Sequence, residues 1–150
     1  MSKHHQYIIE NEEGHSIFRP KGKRFEVLSF ERLEYTSENV SFLSEKIRTN
    51  LTDDLISNDV RKKYPLDHPR WNRTFFGHCV PATFAFLYFM NTNILSPVRG
   101  QDIEGEGHWW VIDNNNGDII DLTKDQYGTY ELVGVYSTGK KRGYYGFKEA

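Results

Sequence analysis

The chain holds one cysteine, Cys79, in the stretch Gly77-His78-Cys79-Val80-Pro81. It stands at the mouth of the most apolar run in the chain, Val80 to Met90, although the chain as a whole is polar, with a mean hydropathy of -0.68. If that run is a helix, the thiol sits at its first turn. Pro81 suits such a place, because its missing N–H would have no intrahelical partner there. A thiol at a helix start feels the positive end of the helix dipole, which stabilises the thiolate. The N–H groups of that turn can also hold a developing oxyanion. The residue before a proline is biased away from helical backbone, so Val80 is expected to be extended and Cys79 to sit just outside the helix.

A nucleophilic thiol needs a base, and the base needs an acceptor to orient it. His108 opens the β-rich run His108-Trp109-Trp110-Val111-Ile112-Asp113, preceded by Gly105 and Gly107, which allow close backbone approach. An Asn-Asn-Asn-Gly turn separates this run from Ile119-Ile120-Asp121-Leu122-Thr123, the clearest hairpin in the chain. A turn at 114–117 pairs Asp113 with Asp118 and sets Asp121 opposite Trp110. A turn at Asn116-Gly117 slides the pairing but keeps its parity. Under either register His108, Trp110 and Asp121 share a face, expected to lie against helix 80–90. Each residue also has a plainer reading. Cys79 could fill the core, His108 could be a satisfied strand histidine, Asp121 could cap a turn, and Trp109 and Trp110 could be core on opposite faces.

The elements that would hold these residues follow from periodicity. Residues 6–18 suggest a hairpin around a Glu-Glu-Gly turn, and 21–30 a weaker strand. Val40, Leu43, Ile47, Leu51 and Leu55 recur at three- or four-residue spacing, one face of an amphipathic helix with Thr36 or Ser37 as N-cap. Residues 62–78 carry two prolines and read as a long ordered loop. Residues 91–107 read as a turn-rich, mobile loop, 129–137 as a third antiparallel strand, and the basic, aromatic stretch 139–147 as a solvated tail. The order is α+β, in one domain spanning 1–150.

Composition excludes several function classes. The 150 residues carry a formal net charge of -2, and 15% are aromatic. That balance argues against disorder and gives no electrostatic reason to bind nucleic acid or an anionic membrane. A single cysteine leaves no internal disulfide framework, and residues 1–15 lack the apolar core of a signal peptide, so a cytoplasmic location is expected. Val80 to Met90 is too short to span a bilayer. The six histidines show no HxH, HExxH or Cys/His ligand spacing, so neither a metal nor another cofactor is expected.

The residues Trp71, Gly77, Cys79, Thr83, His108, Trp110, Asp121, Leu122, Thr123 and Gln126 resemble the pattern of the YunG-like family of bacterial and phage proteins. The likeness covers residues 71–127 and departs at His78, where the family has Gln, and at Pro81. The order Cys, His, Asp also resembles the core of papain-like and transglutaminase-like cysteine enzymes. The resemblance implies that fold, with a buried helix bearing the cysteine at its start packed on an antiparallel sheet. It implies Cys79 as nucleophile, His108 as general base and acid, and Asp121 as the orienting residue. The Cys79 N–H and His78 would stabilise the oxyanion, and Trp71, Asn72 and Trp109 would line the substrate groove. The substrate would be a peptide, a protein or a small amide, or a thioester, for a hydrolase, deamidase or acyl transferase. The alternative is a non-catalytic binding or inhibitor protein on the same fold. The oligomeric state is not legible.

Overall fold

A computed structural model describes residues 18–21, 24–27, 32–51, 58–73, 77–143 and 147–149. Strands β1 (Phe18–Lys21) and β2 (Arg24–Val27) form an antiparallel hairpin, and β3 (Leu33–Glu34) precedes helix α1 (Ser37–Thr49). Helix α2 (Asn58–Lys63) and a 3-10 turn at Pro69–Asn72 lead to α3 (Cys79–Phe89). Next come β4 (Met90–Asn91), β5 (Leu95–Gln101), β6 (Gly107–Asp113) and β7 (Ile119–Ile120). A 3-10 turn at Lys124–Gln126, helix α4 (Thr129–Ser137), β8 (Lys140–Lys141) and β9 (Phe147–Glu149) complete the order. The hairpin expected at 6–18 lies outside the described residues apart from Phe18.

The centre is a four-stranded antiparallel sheet in the order β7-β6-β5-β8, with helices packed on it. The architecture is α+β. Strand β9 adds in parallel to β2, and β4 in parallel to β3. Helix α3 is apolar on nearly every side and is buried between α1 and the sheet, where Leu43 and Ile47 of α1 meet Phe84, Phe86 and Phe89. Thr36 caps α1, accepting from the Asn39 N–H at 3.1 Å. Among the described residues no helix is long and apolar enough to cross a membrane.

The hairpin register is the one set by a turn at 114–117. Val111 faces Ile120, Ile112 faces Ile119, and the Asp113 N–H donates to Asp118 O at 2.9 Å. Gly117 takes a φ of 79°, which the turn requires and a side chain disfavours.

Three expectations are corrected. Residues 129–137 form helix α4, not a strand. Their β-branched and aromatic residues suggested a strand, but Leu132, Val135 and Tyr136 recur at helical spacing. The Glu131 carboxylate accepts from the Gly128 N–H at 3.2 Å, ahead of the first turn. Residues 91–107 are not a mobile loop either, because 95–101 form β5, a central strand paired with β6 from Leu95↔Asp113 to Gln101↔Gly107. Pro97 and Gly100 hid it, since both are depleted in strands. Finally, Trp110 does not lie against α3, although His108 on the same strand face reaches the thiol at the start of that helix. Trp109 and Val111 pack on α3, while Trp110 packs with Val98, Val135 and Tyr136 beneath α4. The unrecognised second helix claimed that face. The tail contributes an edge strand at Lys140–Lys141, although those side chains are exposed.

Candidate active site

Cys79 is the first residue of α3, after Gly77 at a φ of 84° and His78 in the capping position. The positive φ lets the chain turn sharply into the helix. Val80 is helical despite Pro81, so Cys79 lies inside the helix start rather than beyond it. Its side chain joins the core, with the residue 8% exposed.

His108 lies at the start of β6 and is fully buried. Its Nε2 donates to Asp121 Oδ2 at 2.7 Å, with the two side chains 0% and 1% exposed. His108 and Asp121 do meet, although the paired strand expected over 118–123 ends at Ile120, one residue before Asp121. Asp121 is held from three directions. The Tyr136 hydroxyl donates to Oδ2 at 2.8 Å, and the Thr123 N–H donates to Oδ1 at 3.1 Å. A buried carboxylate with three donors keeps its position.

Burial alone would depress the His108 pKa. The hydrogen bond to Asp121, followed by the Cys79 thiol, overcomes this and pushes it up to about 9. Nδ1 is buried without a well-formed hydrogen bond, although the thiol lies close enough to favour the protonated ring. The imidazole thus has Asp121 on Nε2, while Nδ1 makes no hydrogen bond among the described residues. At neutral pH it carries a proton, the form that stabilises a thiolate and can protonate a leaving group.

The surroundings hold this arrangement from the side. The Tyr127 ring meets the His108 ring edge to face at 5.0 Å, and its hydroxyl donates to Asp102 Oδ2 at 2.9 Å. Burial raises the Tyr127 pKa, and the charges of Asp102 and Cys79 raise it further. Arg70 donates to the same Asp102 oxygen at 2.7 Å, in a pair 3% and 2% exposed, and to Glu104 at 2.6 Å. Asp102 Oδ1 accepts from the N–H groups of Glu104 and Glu106 at 2.9 and 3.0 Å. The β5–β6 connection is thereby pinned to the 3-10 turn at Pro69–Asn72. Sequence reasoning missed Tyr127, Tyr136, Arg70 and Asp102, because no local spacing links residues that meet only through tertiary packing.

The residues expected to line a groove sit in different settings. Trp71 is half-buried and its Nε1 donates to Pro65 O at 2.9 Å, which steadies the loop before it. Asn72 is exposed. Trp109 is 8% exposed and packs on Phe84 at 5.4 Å between ring centres, so it serves the core. His78 is buried beside the thiol-bearing turn. Among the described residues, no group of three or more His, Cys, Asp or Glu side chains is placed to hold a metal ion. No family model, curated protein or solved structure matches the chain.

Proposed function

We propose that the protein is a cysteine-dependent hydrolase or acyl transferase acting on an amide or thioester. The papain-like or transglutaminase-like plan that the YunG-like resemblance implies is part of this proposal. The observation that carries it is the fully buried His108, with Asp121 on Nε2, Nδ1 left without a well-formed bond, and the Cys79 thiol beside the ring. A histidine that only filled core would not need a buried carboxylate held by three donors.

In this reading the Cys79 thiolate attacks the substrate carbonyl carbon, and a carbon–sulfur bond forms as the carbonyl π pair moves onto oxygen. The Cys79 N–H, assisted by His78, stabilises that oxyanion. Collapse breaks the bond to the leaving group, which takes a proton from His108. The neutral imidazole then deprotonates water or an acceptor amine, which attacks the acyl-enzyme and releases Cys79. Asp121 keeps the ring oriented and stabilises its positive charge throughout.

p-Nitrophenyl acetate tests this reading. The expected result is a burst of p-nitrophenol with an acetyl group on Cys79, seen by mass spectrometry, and no burst from Cys79→Ala. The second reading, a non-catalytic binding protein, is favoured by the 8% exposure of Cys79. It takes the lead if the wild type gives no burst and its thiol is modified only on denaturation.

A further inference from the structure

Arg99 and Lys140 stand directly opposite each other on β5 and β8, and Trp109 faces Arg99 from β6. Directly paired residues share a sheet face, so all three lie on the side that α3 covers. Like charges at directly opposed positions repel. Neither Arg99 nor Lys140 makes a hydrogen bond or ion pair among the described residues that would relieve this. Arg99 is half-buried and its guanidinium lies over Gly107, where an added Cβ would come within 2.6 Å of Nη2 and 2.9 Å of Cζ. Gly107 immediately precedes His108, and α3 presents Cys79 at this same end of the sheet, beside the His108 ring. Glycine at 107 thus leaves room for a cation to lie flat against the strand, next to the residue that begins the candidate active site.

We propose that Arg99, with Lys140 behind it, forms an anion subsite that recognises a carboxylate, or a similar anionic group, on the substrate close to the carbonyl attacked by Cys79. This rests on the thiol reading above and adds the substrate class to it. A planar guanidinium can take a carboxylate in two parallel hydrogen bonds, and the opposed lysine adds charge without directional demand.

Competition between two alkylating reagents that differ in charge tests the subsite without knowledge of the substrate. In both, the Cys79 sulfur forms a bond to the methylene carbon and iodide leaves, but iodoacetate carries a carboxylate and iodoacetamide does not. The readout is the ratio of the two rates at Cys79, divided by the same ratio for glutathione. The folded wild type should favour iodoacetate by about fivefold, the attraction of a partly screened charge pair, and added salt should shrink that preference. Arg99→Gln with Lys140→Gln should cut the preference to the part that the His108 imidazolium supplies by itself, while Arg99→Lys should retain most of it. A wild-type ratio equal to that of glutathione, or one unmoved by the double variant, overturns the subsite and leaves the thiol reading in place. If neither reagent modifies Cys79 in the folded wild type, the thiol reading falls and the subsite falls with it.

Discussion

His108 is the residue on which the site turns, and its proton couples the site to the stability of the whole chain. Its pKa in the fold is about 9, against 6.5 for the free side chain. A raised value means that the protonated ring stabilises the fold. The contribution is complete below about pH 6.5 and is lost as the pH rises through 9, and it is on the order of 3 kcal/mol. Denaturant midpoints of the wild type should therefore fall between pH 6.5 and 9, and those of His108→Gln should not follow that slope. Tyr136→Phe should move the fall to higher pH, because Asp121 then offers its full charge to His108. Asp121→Asn should move it to lower pH. At the thiol, His108→Ala should slow iodoacetamide labelling at pH 7, since no imidazolium remains to stabilise the thiolate, and Asp121→Asn should do the same more weakly. Equal labelling of wild type and His108→Ala would show that the ring does not activate Cys79.

At the scale of elements, the site depends on how closely α4 approaches the sheet. Gly100 pairs with His108, and a Cβ there would meet Trp110 Cη2 and Val135 O, each at 2.7 Å. Backbone cannot yield as a flexible side chain can, so Gly100→Ala should cost about 1–3 kcal/mol in urea unfolding. It should also weaken the Tyr136 hold on Asp121. An unchanged midpoint would mean that α4 is free to slide. Helix α3 was legible from its uninterrupted apolar run, and α1 from its stripe and cap. The α4 segment was misread because Tyr130, Val133, Val135 and Tyr136 favour strands locally, and only packing of Val135 and Tyr136 on Trp110 selects the helix.

Across the whole molecule, the Arg70–Asp102 pair ties the segment before α3 to the β5–β6 connection. Burial pushes the Asp102 carboxyl up, but Arg70, the Glu106 N–H and the Tyr127 hydroxyl more than reverse this and hold it below the usual range. Its stabilisation is therefore present near neutrality and lost as the pH falls through that lowered value. Arg70→Met leaves the buried carboxylate without its cation and should cost about 3–5 kcal/mol. Arg70→Met combined with Asp102→Leu should lose less than the two single variants summed, as chemical denaturation would measure, although the Tyr127 hydroxyl and the Glu104 and Glu106 N–H groups then lose their acceptor. Losses that simply add in the double variant would show that the two side chains do not act as a pair.

The sequence by itself determined the features that rest on local chemistry. A lone thiol before a proline and an apolar run, the β6–β7 hairpin with its turn at 114–117, and the helices at α1 and α3 are all readable from neighbours within a few residues. Each depends on backbone periodicity or turn preference, which act over a single turn or a single strand pair. Tertiary structure alone decided that β5 runs through the centre of the sheet with a proline in it, since pairing with β6 outweighs propensity there. It alone decided that α4 covers Trp110, and that Tyr136, Tyr127, Asp102 and Arg70 gather around the site from distant parts of the chain. Those contacts join positions many residues apart, and burial selects among them only once the sheet and both helices have come together.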